Sequence, residues 1–232
     1  MLNYSELIKK NPHWHHKFEI APGVFTPGSF DPEALLAMLQ LPRRLDGLRV
    51  LDIGTSDGFF ALEMWRRGAE VVALDYRDKK EHGYWVTEAI SGMQVSYVKC
   101  SLYEIDASSL GTFDIVLFLG VLYHLPDMMR GLDLVRSVTK TRMFLETYCD
   151  FSLPQDIACA RYYKHSSLSN DFSNFWAPNS RCVKDMLDDV GFEVEREQAW
   201  GDRIFLSCSR SISTAQSSDK LSLAYKGPGF KL

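Results

Sequence analysis

The 232-residue chain reads as one large α/β domain built on a doubly wound sheet. Three observations point there. Short apolar runs of strand length alternate with amphipathic helical stretches; Arg49-Val-Leu-Asp-Ile-Gly-Thr-Ser-Asp-Gly-Phe-Phe60 reads as strand, glycine turn, helix; and Glu70-Val-Val-Ala-Leu-Asp75 reads as a second buried strand ending in an acid. Val50, Leu51 and Ile53 suit a strand buried on both faces. Gly54 and Gly58 permit backbone conformations and a close ligand approach that a side chain would block. Amides at the following helix start can grip polar atoms, while Asp52 and Asp57 can take up ammonium and hydroxyl groups, so an amino-acid-bearing ligand fits this turn better than a pyrophosphate. Asp75 lies about 20 residues beyond the turn, where an acid can bind both hydroxyls of a ribose.

The elements follow in order. A short helix is expected at Asn3 to Lys10, and the aromatic stretch from Trp14 to Gly28 should pack over the main domain instead of staying in water. Asp31-Pro32 supplies a cap and a first-turn proline for a helix over 31–40. A helix from Phe59 to Arg67 stops at Gly68. Helical patterns follow at Gly83 to Ser91, Asp127 to Val138 and Asn179 to Val190; strand patterns follow at Gln94 to Lys99, Phe113 to Gly120 and Thr141 to Thr147. Phe192 to Gln198 and Ile204 to Ser209, separated by little more than Trp200-Gly-Asp-Arg203, form an antiparallel pair at one sheet edge.

This organisation divides the chain into an N-terminal aromatic segment and helix (1–48), a core (49–210) with a cover insertion (148–178), and a tail (211–232). Loops as long as the cover are commonly lids or binding elements. The tail is Ser/Gly/Lys-rich, and Leu221, Leu223, Tyr225 and Phe230 could dock on a partner.

Composition narrows the function. Hydrophobic residues at 46% and charged residues at 24% match a globular chain, which argues against global disorder. The net charge of −4, without a long basic run, speaks against a nucleic-acid substrate. Five cysteines without CxxC spacing are expected to be reduced thiols in a cytoplasm, and no apolar run approaches the roughly 20 residues that span a bilayer. His13, His15 and His16 lack an evident carboxylate or Cys partner, so no metal is expected.

With these elements in place, the chain resembles the class I S-adenosylmethionine (SAM) dependent methyltransferases over roughly residues 49–209. Asp52-x-Gly54-x-x-x-Gly58 looks like the family's first motif, Asp75 like its ribose-binding acid, and Phe113-Asp-Ile-Val with Gly120-Val-Leu-Tyr-His124 like the motif around the fourth strand. Thr55 and Ser56 depart from the commoner residues but are small. The resemblance implies a Rossmann-like, seven-stranded sheet, mostly parallel with an antiparallel last strand, and SAM as cofactor. It places Asp52, Gly54, Ser56, Asp57, Gly58 and Phe59 at the methionine part, Asp75 and Tyr76 at the ribose, Ser101 and Leu102 at the adenine, and Leu119 and Gly120 on the cofactor floor.

A narrower resemblance is to bacterial proteins related to the enzyme that carboxymethylates the tRNA wobble uridine. It is carried by Trp14-x-His16-x-Phe18-Glu-Ile20 with Thr26-Pro-Gly28, by Gly120 to His124, and by Asn174-Phe-Trp-Ala-Pro178 leading to Gly191-Phe192. It implies that Tyr123 and Arg203 hold an additional cofactor carboxylate. The third contact, a lysine, aligns nearest to His15 and His16, with Lys17 one step further, and no counterpart of the enzyme's longer N-terminal extension is expected.

The expected function is therefore methyl transfer from ordinary SAM to a small acceptor, with a tRNA wobble-uridine enzyme and a SAM-binding protein without transferase activity as alternatives. His124, at the carboxyl edge of the sheet, and His16 are candidate general bases, each set against a purely structural role. Arg203 and Arg161 are candidates for gripping an acceptor carboxylate, which would make the acceptor a small acid or amino-acid-like metabolite. Trp14, Phe175 and Trp176 are the expected pocket wall, and Tyr123 is a further expected substrate contact.

Overall fold

In a computed structural model, which describes residues 3–11 and 13–211, the chain folds with eleven strands and seven α-helices among those residues. They run α1 (Tyr4–Lys10), β1 (Glu19–Ala21), β2 (Val24–Phe25), α2 (Glu33–Met38), β3 (Arg49–Ile53), α3 (Phe59–Arg66), β4 (Glu70–Asp75), α4 (Tyr84–Ser91), β5 (Ser96–Lys99), α5 (Ala107–Leu110), β6 (Phe113–Leu119), α6 (Met128–Val138), β7 (Thr139–Tyr148), β8 (Ala160–Tyr162), β9 (Trp176–Pro178), α7 (Ser180–Asp189), β10 (Phe192–Trp200) and β11 (Arg203–Arg210). Seven strands form one sheet in the order β10-β11-β7-β6-β3-β4-β5. β3 to β5 pair in parallel, while β11 is antiparallel to both β7 and β10. The seven-stranded, mostly parallel sheet with its antiparallel end is the fold the sequence implies.

Backbone contacts divide the chain into two compact units. The first comprises residues up to 105 with 113–117. Its centre is β3 and β4, whose Val50, Leu51, Ala73 and Leu74 are buried as befits strands covered on both faces. Gly58, with φ of +83°, starts α3, and a Cβ there would stand 2.9 Å from the Tyr84 ring, so only glycine fits. The aromatic segment belongs to this unit: β1 and β2 form a hairpin, His16 bridges Phe30, and Phe18 and Ile20 are buried. The helix expected over 31–40 begins only at Glu33, because the Asp31 carboxylate accepts the Glu33 N–H at 3.0 Å and Pro32 takes the cap position.

The second unit comprises 106–112 with 118–232, described to 211. Its strands β7, β10 and β11 bury Met143, Phe144, Leu145, Phe205 and Leu206. α6 and α7 start at side-chain caps, Asp127 accepting from Arg130 N and Asn179 from Cys182 N. The cover insertion carries a small antiparallel hairpin, β8 with β9, that its sequence did not announce. All five cysteines are free thiols. Among the described residues no helix is long and apolar enough to cross a membrane, and no cluster of three metal-ligating side chains occurs. The tail beyond Ser211, with its four candidate docking residues, lies outside the described residues.

Candidate active site

The first unit carries three buried acids around the β3–α3 turn, and they differ in their partners. Asp52, 3% exposed, accepts the Thr55 hydroxyl at 2.6 Å. Among the described residues no guanidinium or ammonium is bonded to it, and burial pushes its carboxyl up to about 6 against the opposing Thr55 bond, the His16 charge and the Ala61 backbone bond. Asp75, at the carboxyl end of β4, receives the Ser56 N–H at 3.1 Å and both the Nε and Nη2 of Arg77 at 3.1 Å. Burial works against its charge, but Arg77 outweighs that and holds the group below the usual carboxylate range. The turn itself is tied to β4 by Gly54 N and Thr55 N, which both donate to Leu74 O. Ser56 is left with a positive φ of +51°.

Asp57 has a different occupation from the expected ligand role. It is fully buried and accepts the His15 and His16 N–H groups at 3.0 and 2.7 Å and His16 Nδ1 at 2.5 Å. These bonds outweigh burial and keep it a carboxylate. His16 is correspondingly enclosed by the Phe30, Phe59 and Phe60 rings, so it anchors the aromatic segment instead of standing open as a base. The Phe59 side chain is likewise packed against Phe18 and His16. Trp14 Nε1 donates to Ile8 O at 3.3 Å, and its ring occupies the space a Gly83 Cβ would need. Tyr76 is 69% exposed, with the Arg77 guanidinium 5.3 Å from its ring centre. Ser101 caps the short turn at Leu102–Glu104, accepting from Tyr103 N while its own N–H donates to Glu104, and Leu102 is buried.

In the second unit, Leu119 ends β6, and Gly120, with φ of +71°, donates its N–H to Glu146 O. The Arg203 guanidinium is taken twice by Glu146, through Nε to Oε1 and through Nη2 to Oε2 at 2.9 Å. It also lies over two rings, 5.0 Å from the centre of Tyr123 and 4.8 Å from that of Tyr148. Glu146 and Tyr123 together hold this guanidinium protonated against the burial that opposes its charge. Arg203 is therefore a neutralised, stacked group and not an open carboxylate grip. Arg161 is paired too, its Nε donating to Asp150 at 2.6 Å. Trp176 donates Nε1 to Pro126 O and meets Tyr162 edge-on, which makes it part of the cover's own packing. His124 Nδ1 lies 3.1 Å from Ser173 O and 3.0 Å from Ser173 Oγ. The carbonyl requires a proton on Nδ1, which makes Nε2 the basic atom.

Four contributors were missed from sequence. Thr55 and Arg77 partner Asp52 and Asp75, and Glu146 and Tyr148 frame Arg203. Only Glu146 left a trace, as the lone acid in the apolar run Met143-Phe-Leu-Glu146.

With this geometry in view, residues 30–197 match a family model described as a methyltransferase domain. The ubiquinone biosynthesis O-methyltransferase of Hahella chejuensis is 29% identical over 120 residues, 52% of this chain and 50% of that protein. The Escherichia coli protein of the same description is 32% identical over 137 residues, 54% and 57% of the two chains. The chain thus spans about half the length of the curated relatives it matches. Among solved structures, the N-terminal domain of EvdMO1, crystallised in the presence of SAH and D-fucose, superposes with a TM-score of 0.68 at 20% identity, covering 91% of this chain and 97% of that one. The Burkholderia thailandensis 1,6-didemethyltoxoflavin-N1-methyltransferase, with SAH and its substrate, gives 0.56 at 18% identity, covering 77% and 76%. At such identities these structures establish the fold. The sheet order and the family match over most of the chain place it in the methyltransferase-domain family, with the class I fold.

Proposed function

We propose that this chain transfers the SAM methyl group to a hydroxyl of a small acceptor that is not an acid. The observation that carries the donor half is Asp52, a buried carboxylate at the head of the β3–α3 turn that is bonded to the Thr55 hydroxyl and the Ala61 backbone and, among the described residues, to no cation. An ammonium is the partner such a group lacks, and the methionine end of SAM bears one. Asp75 fits the ribose hydroxyls, and Ser56, Gly58, Tyr76, Ser101 and Leu102 are its companions in the first unit; Leu119 and Gly120 of the second unit are kept in this reading as a cofactor floor. The residues present therefore fit the cofactor. When bound, it supplies a methyl carbon activated by a sulfonium.

The chain's own work is to orient, shield and deprotonate. Asp52 and Asp75 fix two ends of the donor. The His124 ring is the candidate proton acceptor for the hydroxyl, oriented by the contact of its Nδ1 with Ser173 O. Tyr123, covered by the Arg203 guanidinium that Glu146 holds, gives the acceptor side a rigid aromatic face.

O-methylation is supported by the description of the relatives, and a non-acidic acceptor by the neutralisation of Arg203 and Arg161. One observation favours the tRNA reading: Tyr123 and Arg203 are neighbours, as that resemblance implies. Glu146 opposes it, because a further carboxylate beside Arg203 would meet one already there. Calorimetry with SAM, followed by labelled SAM with a fractionated metabolite extract and, separately, bulk tRNA, tests the proposal. Label appearing in tRNA, or tight SAM binding without any labelled product, would overturn it.

A further inference from the structure

Within the second unit a cleft of about 390 Å³ opens at the carboxyl end of β7 and the β10–β11 turn. Its walls combine the rings of Tyr148, Tyr163 and Phe151 with the polar side chains of Asp150, Arg161 and Asp202. The polar groups are held in place. Asp150 Oδ1 accepts the Ser152 N–H at 2.9 Å and the Ser152 hydroxyl at 2.5 Å, while Oδ2 takes Arg161 Nε at 2.6 Å. Arg161 Nη2 reaches the Ser152 hydroxyl at 3.3 Å, and the Tyr148 hydroxyl bonds Ser169 at 2.8 Å. Asp202 is exposed on the hairpin turn, its carbonyl fixed by Cys149 N at 2.8 Å.

Two properties select the ligand. First, donors and acceptors lie side by side on one wall. A hydroxyl both donates and accepts, so vicinal hydroxyls satisfy a guanidinium and a carboxylate at once, and the carboxylates retain lone pairs beyond those already used. The lining rings can cover the apolar face of such a ligand. Second, two carboxylates stand against one guanidinium, so the cleft repels an anion and favours an amine.

We propose that this cleft binds a polyhydroxylated ring, neutral or amine-bearing, of the sugar or aminocyclitol class, as part of the acceptor. The word acceptor rests on the methyltransferase reading; the binding itself does not.

The test is saturation-transfer NMR on the full chain with four probes, methyl glucoside, glucosamine, glucuronate and catechol, beside calorimetry with SAM on the same sample. Methyl glucoside and glucosamine should receive magnetisation at millimolar concentration, with glucuronate and catechol at least tenfold weaker. Asp150→Asn and Tyr163→Ala should each weaken glucosamine at least fivefold while SAM affinity is retained, which also reports that the variants are folded. Sugars that bind to a chain with no SAM affinity would leave the cleft standing and remove the donor reading. Silence from both sugars in a chain that binds SAM, glucuronate or catechol binding as well as glucosamine, or variants that bind like the parent would overturn the inference.

Discussion

Asp52 and Glu146 are equally buried, each 3% exposed, yet their surroundings differ. Asp52 has the Thr55 hydroxyl, the Ala61 backbone and a nearby His16 but no bonded cation among the described residues; Glu146 has a bidentate guanidinium stacked between two tyrosine rings. A buried acid already paired with a cation has little attraction left for a charged ligand, though it can still accept neutral hydroxyls, whereas one without a cation is an invitation to a charged ligand. The same contrast separates Asp57, whose oxygens are taken by His15 and His16, from the Asp52 carboxylate five residues earlier. A local sequence motif presents all such acids alike.

Breaking the satisfied pair should have the largest effect. Glu146→Ala strands the Arg203 charge and should destabilise by about 3–5 kcal/mol, read as a large fall in thermal midpoint. Glu146→Ala with Arg203→Met should recover part of that loss; a double variant no better than the single would mean that the pair is not the source. Breaking the unsatisfied acid should act on ligand instead. Asp52→Ala should weaken SAM at least a hundredfold in calorimetry, about 2.7 kcal/mol, with little loss of thermal stability. Unchanged affinity would sink the donor assignment.

The pH dependence sharpens the comparison at a smaller scale. Burial raises the Asp52 carboxyl to about 6, so the folded chain binds this proton more tightly than the unfolded chain. The group therefore opposes folding increasingly as pH rises from about 4 to about 6, and no further above that. An ammonium needs the ionised form, so SAM affinity should drop about tenfold for each pH unit below 6, and Asp52→Asn should flatten the profile. A parent profile without this slope would show that the carboxyl titrates elsewhere.

The smallest effect concerns Arg77, which now holds both oxygens of Asp75. If ribose hydroxyls replace it, Arg77→Ala should tighten SAM by a few-fold, within the roughly 1 kcal/mol that a partly exposed pair contributes. Weaker binding would instead make Arg77 a support of the bound state.

Much of the fold was legible because its signals are local. The run from Val50 to Ile53, the positive-φ turn at Gly58 and the capped starts of α6 and α7 each sit within a few residues of what they determine. The short hairpins β1–β2 and β8–β9 carried no such period, being only two or three residues per strand. Site roles were legible in part. Asp52 and Asp75 could be placed at two strand ends, but the occupations of Asp57, Trp14, Arg161 and Arg203 could not be read from their neighbours in sequence.

By itself, then, the sequence determined the alternation of strands and helices, the glycine turn and the acids beside it, because periodicity, backbone freedom and capping act over a few residues. Only the tertiary structure decided which charges are neutralised. His16 meets Asp57 across 41 positions and Arg203 meets Glu146 across 57. Whether a buried acid is left for a ligand depends on the cation, if any, that the fold brings to it, and no short-range pattern carries that information.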